Sequence, residues 1–123
     1  MVTKYALPLT IIFSRSEEPP AWSVLACEIL VASDGRNLEE ARYMIQDAVE
    51  GWAESMIEDG QADRLSRPAS AELIAEFQAG AEVVTEYHTL LITVETEPSP
   101  KIVSHEFIRS SVTPLCCHQQ AAA

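Results

Sequence analysis

The stretch Asn37–Asp59, NLEEARYMIQDAVEGWAESMIED, decides the fold of this 123-residue chain. Its apolar residues recur every three or four positions, which is the period of an α-helix with one buried face. At about 1.5 Å per residue, a helix of about 20 residues is long enough to cross a small sheet. The apolar stripe of this predicted helix contains Leu38, Ala41, Met44 or Ile45, Ala48, Val49, Trp52, Met56 and Ile57.

Both ends of the helix carry boundary signals. Asn37 is a favoured N-cap residue, and Glu40 stands three positions later, as in a capping box. At the other end, Gly60 suits the left-handed conformation that often follows a last helical turn. Gly51 lies inside the helix, where a glycine costs about 1 kcal/mol relative to alanine and often allows close packing on a sheet.

The segments on either side of the helix predict strands. Residues that are β-branched or aromatic are concentrated in Lys4–Ser14 and in Val83–Glu97. Pro8 has no N–H to donate, so the first strand is expected to have a free edge or a bulge there. Ala21–Ser33 is long for one strand, and we expect it to bend near Glu28 into two.

The order of these elements predicts an α+β fold. Ser70–Gln78 adds a short second helix, so the expected order of the main elements is β-β-β-α-β. This order predicts a small, mostly antiparallel sheet that the long amphipathic helix covers on one face. The domain is expected to span residues 1–97, and residues 98–123 to form a weakly structured C-terminal extension. Within it, Ile102-Val103 and Phe107-Ile108 are compatible with a further strand or a short helix.

The composition argues against several classes of function. Nineteen acidic and eight basic residues give a formal net charge of −11. Phosphate contacts need clustered lysines and arginines, so we expect neither direct nucleic-acid binding nor binding to an anionic membrane. The apolar stretches fall far short of the roughly 20 residues of a transmembrane helix. Three cysteines with an adjacent pair make a poor disulfide framework, and we expect a cytoplasmic protein.

The residue pattern does not point to catalysis. Most carboxylates fall on the solvent side of the long helix, whereas a metal site needs carboxylates that converge from different elements. His88, His105 and the run Cys116-Cys117-His118 lack the spacing of metal ligands. Cys27 is expected to be a small buried hydrophobe. We therefore predict no catalytic residue, no metal and no cofactor.

Three stretches in the middle of the chain carry a recognisable pattern: Trp22–Val31, Asp34–Ala41 (DGRNLEEA) and Ile45–Trp52 (IQDAVEGW). They resemble the HicB-like antitoxin family, which has a turn with glycine, a helix start of the form (T/N)-L/P-E-E-A and a helix body A-V/I-E-x-W/L. The likeness covers about Tyr5–Glu97. It implies a partial RNase-H-like fold and a protein that neutralises HicA, a small basic RNA-cleaving toxin. It also implies a dimer or a larger homo-oligomer.

The chain departs from that family at two places. Ala21-Trp22 replaces the Gly-Tyr that many members carry before the second strand, and Ala26–Leu30 replaces a Pro-Asp/Glu-Leu-Pro-Gly-Cys stretch after it. Many members also add a DNA-binding module after the last strand. Here the extension is too short and too weakly basic for such a module.

These observations predict a HicB-like antitoxin, or a binding protein derived from one, without catalysis of its own. We expect it to contact a HicA-like toxin through the exposed parts of the first two strands and the acidic helix face. One alternative is a stand-alone regulatory or self-assembling module without a toxin partner. Another is a residual RNase-H-like nuclease that uses Glu28 and Asp34. The predicted contact residues are Trp22, Glu28, Tyr43, Asp47, Glu50 and Glu54.

Overall fold

The computed structural model describes residues 2–17, 21–61, 64 and 67–109. These residues form an α+β fold with one long and one short helix, as the sequence predicts. Neither helix has an apolar stretch long enough to cross a membrane. The elements in chain order are β1 (Val2–Ser16), β2 (Ala21–Ala26), β3 (Val31–Gly35), α1 (Leu38–Glu58), α2 (Ala71–Gln78), β4 (Glu82–Glu95) and β5 (Lys101–Arg109).

The strands form one antiparallel sheet in the order β3-β2-β1-β4-β5. The central strand β1 pairs with β4 along Val2–Arg15 but with β2 only along Ile11–Ser16. The Thr10 carbonyl accepts the Cys27 N–H on the β2 side. Pro8 lies two residues earlier and faces the same side, beyond the end of β2. The free edge predicted at Pro8 is confirmed, because no described strand needs the N–H that proline lacks.

The predicted bend near Glu28 is the turn Cys27–Leu30, which separates β2 from β3. The Glu28 carboxylate accepts the backbone N–H of Thr10 at 2.6 Å and the Thr10 hydroxyl at 2.8 Å. The Glu28 side chain thus supplies the hydrogen-bond acceptor that a backbone carbonyl of a neighbouring strand would otherwise supply to Thr10, at the point where β2 ends. Leu30 has a φ of 54°, a left-handed conformation that costs a non-glycine residue about 1–2 kcal/mol.

The two helices cover opposite faces of the sheet. The buried side of α1 packs on the face that contains Ile11, whereas α2 packs on the face that contains Ile12. Side chains of neighbouring residues in a strand point to opposite faces, so the two cores are separate. The sheet face under α1 holds the larger core, with Leu9, Ile11, Phe13, Trp22, Val24, Ala26, Leu90, Ile92 and Val94.

The route of the chain through α2 explains why β4 runs antiparallel to β1. Before α2, the Ala69 N–H donates to the Cys27 carbonyl, at the end of the sheet where β2 turns into β3. After α2, the Ala81 N–H donates to the carbonyl of Arg15, at the opposite end. The second helix therefore carries the chain back along the sheet, and β4 starts with Glu82 paired to Arg15.

Strand β5 corrects the predicted domain boundary. Residues 98–123 are expected to be weakly structured, but Lys101–Arg109 pairs with β4 and extends the sheet. Ile102 and Phe107 of this strand pack against the larger core. The hydrophobic pattern of Lys101–Arg109 is weak because β5 is an edge strand and most of its side chains are exposed. Residues 110–123, with Cys116-Cys117-His118, lie outside the described residues.

Candidate functional site

One surface of α1 gathers three of the predicted contact residues. Tyr43, Asp47 and Glu54 are exposed, and the exposed fraction of Tyr43 is 69%. These residues are four, seven and eleven positions apart, which are spacings of about one, two and three helical turns, so their side chains lie on the same side of α1. We define the acidic stripe as Tyr43, Asp47, Gly51, Glu54 and Glu58, which are all exposed and lie opposite the buried side of α1.

The carboxylates of the acidic stripe have no basic partner in the part of the chain that the structure describes. Among the described residues, no ion pair involves Asp47, Glu54 or Glu58. The last turn of α1 contains no basic residue, although a cation would be favoured at that end of the helix dipole. The two arginines near the start of α1 are already engaged. Arg36 binds Glu40 at 2.8 Å, and Arg42 binds a carboxylate of β4.

Gly51 leaves a gap in the middle of the acidic stripe. A Cβ built at Gly51 meets nothing within 4 Å, so this glycine does not serve close packing on the sheet. That expectation from the sequence is wrong, because Gly51 lies on the solvent side of α1. The missing side chain lets another molecule approach the helix backbone closely between Asp47 and Glu54.

Glu50 borders the acidic stripe but has a partner. Its Oε2 lies 3.0 Å from Nε2 of His105 on β5, and both side chains are partly exposed. This contact links α1 to the edge strand. Glu50 is therefore only partly available to another molecule.

Two predicted contact residues, Trp22 of β2 and Glu28 of the turn that follows it, have other roles. Trp22 is only 8% exposed and belongs to the larger core, so its prediction as a contact residue is wrong. It shares the α1 side of β2 with Val24 and Ala26, an alternation that points to burial. The Glu28 carboxylate is occupied by Thr10, as described above.

The nuclease alternative rests on Glu28 and Asp34. Asp34 is exposed near the end of β3, which is an edge strand. Within the described part of the chain, no group of three or more His, Cys, Asp or Glu residues is placed to hold a metal ion.

A cluster of charged side chains around the buried Glu86, between α1, β4 and β5, has no counterpart among the sequence predictions. Glu86 is 4% exposed and accepts hydrogen bonds from Arg42 of α1, one of them at 3.0 Å from Nε. Arg109 of β5 reaches the same carboxylate at 3.1 Å, and His88 Nε2 lies 3.0 Å from Oε1. The Arg42 guanidinium also stands 5.7 Å from the centre of the Phe13 ring, within reach of a cation–π interaction.

The electrostatics of the cluster keep Glu86 ionised. Burial raises the pKa of Glu86, but the hydrogen bonds from Arg42 and His88 and the charges of Arg42 and Arg109 outweigh it. The net result is a pKa below the usual value of 4.5. The hydrogen bond to Glu86 in turn raises the pKa of Arg42. The cluster therefore ties three elements together with fixed charges.

The sequence contained a signal for this cluster. Glu86 and His88 stand four and two residues before Leu90, respectively, on the face of β4 that points to α1. That alternation predicts burial for both residues. It does not identify Arg42 and Arg109 as partners, because they are 44 and 23 residues away from Glu86 in the chain.

Cys27 fits its predicted role as a small buried side chain. Burial, with a smaller contribution from the charge of Glu28, raises the pKa of its thiol to about 12. The thiol therefore stays protonated at neutral pH, whereas the thiolate is the nucleophilic form.

Among the described residues, the acidic stripe is therefore the surface most accessible to another molecule. The cluster around Glu86 instead connects α1, β4 and β5 within the fold. Family models, curated proteins and solved structures give no match to this chain.

Proposed function

We propose that this protein is a HicB-like antitoxin that binds and neutralises a small basic RNA-cleaving toxin through the acidic stripe. The observation that carries the proposal is a largely exposed tyrosine, Tyr43, beside carboxylates that form no ion pair with any described residue. Tyrosine is enriched among residues that dominate binding energies at protein interfaces. Since the target of such a toxin is RNA, both proteins would act in the cytoplasm.

The charge distribution supports a basic partner. The chain has a net charge of −11, and the stripe concentrates part of this negative charge along about four turns of α1, or roughly 22 Å, without an ion pair among the described residues. Such a field attracts a basic protein over long distances and raises its association rate. Lysines or arginines of the partner would also supply the cations that the last turn of α1 lacks.

The shape of the stripe supports close docking. Tyr43 projects at one end, and Gly51 leaves the helix backbone accessible one turn beyond Asp47. A partner side chain that fills this gap would lie between carboxylates on both sides. The protein needs no chemistry of its own in this role, because it acts by covering the toxin.

The test is a calorimetric titration with a purified HicA-like toxin encoded next to the gene for this chain. We expect binding that weakens strongly between 50 and 300 mM salt, about the range in which exposed charges become screened. Tyr43→Ala should weaken binding by about 30-fold, the equivalent of about 2 kcal/mol. The double variant Asp47→Asn/Glu54→Gln should weaken binding and reduce its salt dependence.

The matched control removes two carboxylates from another exposed helix surface. Glu72 and Glu76 lie on α2 and are exposed, so Glu72→Gln/Glu76→Gln changes the net charge by the same amount. We expect this control to bind like the native chain. Equal losses in both double variants would show that net charge alone attracts the toxin, which contradicts a specific stripe. A toxin that does not bind at all would contradict the proposal and favour the stand-alone module.

A further inference from the structure

Strand β5 contains an extra residue that changes its register against β4. Ile102 pairs with Val94, but Ser104 pairs with Thr93, so Val103 is paired with no residue of β4. Such an insertion is a β-bulge. Beyond Val103, it turns each side chain of β5 to the face opposite the one that it would occupy in a regular ladder.

The bulge decides which side chains of β5 face α1. In the observed arrangement, which we call the bulged register, Phe107 pairs with Leu90 and lies on the side of the larger core. His105 and Arg109 share that side with it. Without the bulge, the pairing next to the β4–β5 loop would continue unchanged and place Glu106 opposite Leu90. This alternative, which we call the regular register, would turn Glu106 towards α1 and Phe107 away from it.

The apolar side chains of β5 distinguish the two registers only weakly. The bulged register buries part of Phe107 and leaves Ile108 46% exposed. The regular register would place Ile108 opposite His88, on the α1 side, and would expose Phe107 instead. Ile102 precedes the bulge and keeps its place in both registers. One large apolar side chain is thus exchanged for another, while the bulge itself interrupts the ladder.

The charges on the α1 side distinguish the registers clearly. The Glu86 carboxylate lies 3.1 Å from Arg109 Nη2, and the Glu50 carboxylate lies 3.0 Å from His105 Nε2. Both contacts need the bulged register, because the regular register would turn Arg109 and His105 to the opposite face. It would bring Glu106 to the side of Glu50 instead, where two carboxylates repel each other and one would be partly desolvated.

We propose that the carboxylates of Glu50 and Glu86 select the bulged register of β5 over the regular one. They hold the side chains of His105 and Arg109 on the α1 side of the sheet and disfavour Glu106 there. The two contacts lie on either side of the pair formed by β4 and β5 at the larger core, so they act on the same stretch of the edge strand. A weak hydrophobic pattern specifies register poorly, and here the charges supply what the pattern lacks.

The selection keeps an aromatic side chain covered at the edge of the sheet. In the regular register, Phe107 would be exposed on the face that already carries Leu91, which is 37% exposed. Exposed apolar side chains on an edge strand favour edge-to-edge association. The acidic stripe has no part in this selection, so the inference does not depend on the proposed function.

The test exchanges two charges of β5 that lie on opposite faces. The double variant Glu106→Arg/Arg109→Glu of the full-length chain keeps the net charge at −11 and should move β5 to the regular register. Nuclear magnetic resonance reads the register from contacts between the α-protons of directly opposite residues, which are close in non-hydrogen-bonded pairs. The native chain should show the contact of Leu90 with Phe107. In the variant this contact should weaken at least about tenfold, and a contact of Leu90 with residue 106 should replace it.

Two further variants complete the test. Lys101→Ala removes a charge that precedes the bulge and keeps its place in both registers, so it should leave the native contact unchanged. The milder variant His105→Ala/Arg109→Ala removes both attractions without introducing a charge and should show both contacts. Either double variant would overturn the proposal if it kept only the contact of Leu90 with Phe107. So would a β5 that leaves β4 without adopting the regular register, because the carboxylates would then attach the strand without selecting its register.

Discussion

Carboxylates occur in two opposite settings in this molecule. Glu86 is buried between α1, β4 and β5, where Arg42, Arg109 and His88 surround it. The acidic stripe carries Asp47, Glu54 and Glu58 in water, without ion pairs among the described residues. The same chemical group is therefore paired within the fold in one region and exposed to water in the other.

This difference shows why burial and pairing must be known before an acidic residue is assigned a role. Removing one partner from a buried ion pair leaves an uncompensated charge and is strongly destabilising. Removing an exposed charge changes the free energy of unfolding very little. Substitutions in the two regions should therefore separate stability from binding.

Glu86→Gln should have the largest effect on stability. We expect the free energy of unfolding to fall by about 2 kcal/mol, because the partly buried Arg42 loses its carboxylate partner, whereas the more exposed Arg109 can be rehydrated. Urea unfolding followed by tryptophan fluorescence measures this loss. The matched substitution Glu54→Gln on the acidic stripe should cause no loss. Equal effects of both substitutions would contradict the distinction between the two regions.

The contribution of Glu86 should depend on pH. Its pKa in the folded chain lies below the usual 4.5, so its stabilisation is complete above pH 4.5. It is lost as the pH falls from 4.5 through the lowered pKa. The difference in unfolding free energy between the native chain and Glu86→Gln should stay constant from pH 7 to 5 and shrink below pH 4.5. A difference that already closes at pH 6 would contradict this assignment.

Gly51→Ala should stabilise the chain. A Cβ at this exposed helical position meets no neighbour, and alanine is favoured over glycine inside a helix by about 1 kcal/mol. Thermal unfolding should show the gain. Gly35→Ala is the control with the opposite sign, because a Cβ there would lie 2.5 Å from the Ala41 nitrogen. If Gly51→Ala has no effect or destabilises, the stripe is not a free helix surface.

Glu54→Gln should have the smallest effect and a stabilising sign. It removes a negative charge near the C-terminal end of α1 and from the vicinity of Glu50 and Glu58, four residues away on either side. Relief of this repulsion contributes about 0.3 kcal/mol and should vanish in 1 M salt. Urea unfolding at low and high salt measures the difference. A clear loss of stability would place Glu54 in a contact that supports the fold.

The residues in and next to the long helix are sufficient to predict it and its two ends. Asn37 caps it by accepting the Glu40 N–H, and Gly60 follows it with a φ of 73°. The N-cap residue, the apolar periodicity and the glycine after the last turn all depend on residues close together in the chain, so the sequence alone reveals them. The same holds for the free edge at Pro8, where the missing N–H restricts the pairing of β1.

Long-range partners were not predictable in this way. The neighbours of Glu86 come from α1 and β5, and the role of β5 depends on its pairing with β4. For Trp22, the alternation with Val24 and Ala26 gives the face of β2 on which its ring lies, but the covering of the ring depends on where α1 lies over β2. Neither arrangement follows from the residues adjacent in sequence.

The sequence by itself determined the amphipathic helix from Leu38 to Glu58, the strands around it and the acidic character of the chain, since each follows from periodicity, capping or composition. Only the tertiary structure decided which carboxylate is buried and paired and which side chains of β5 face α1. The physical reason is that burial and charge pairing are properties of groups far apart in the chain, and packing alone brings them together.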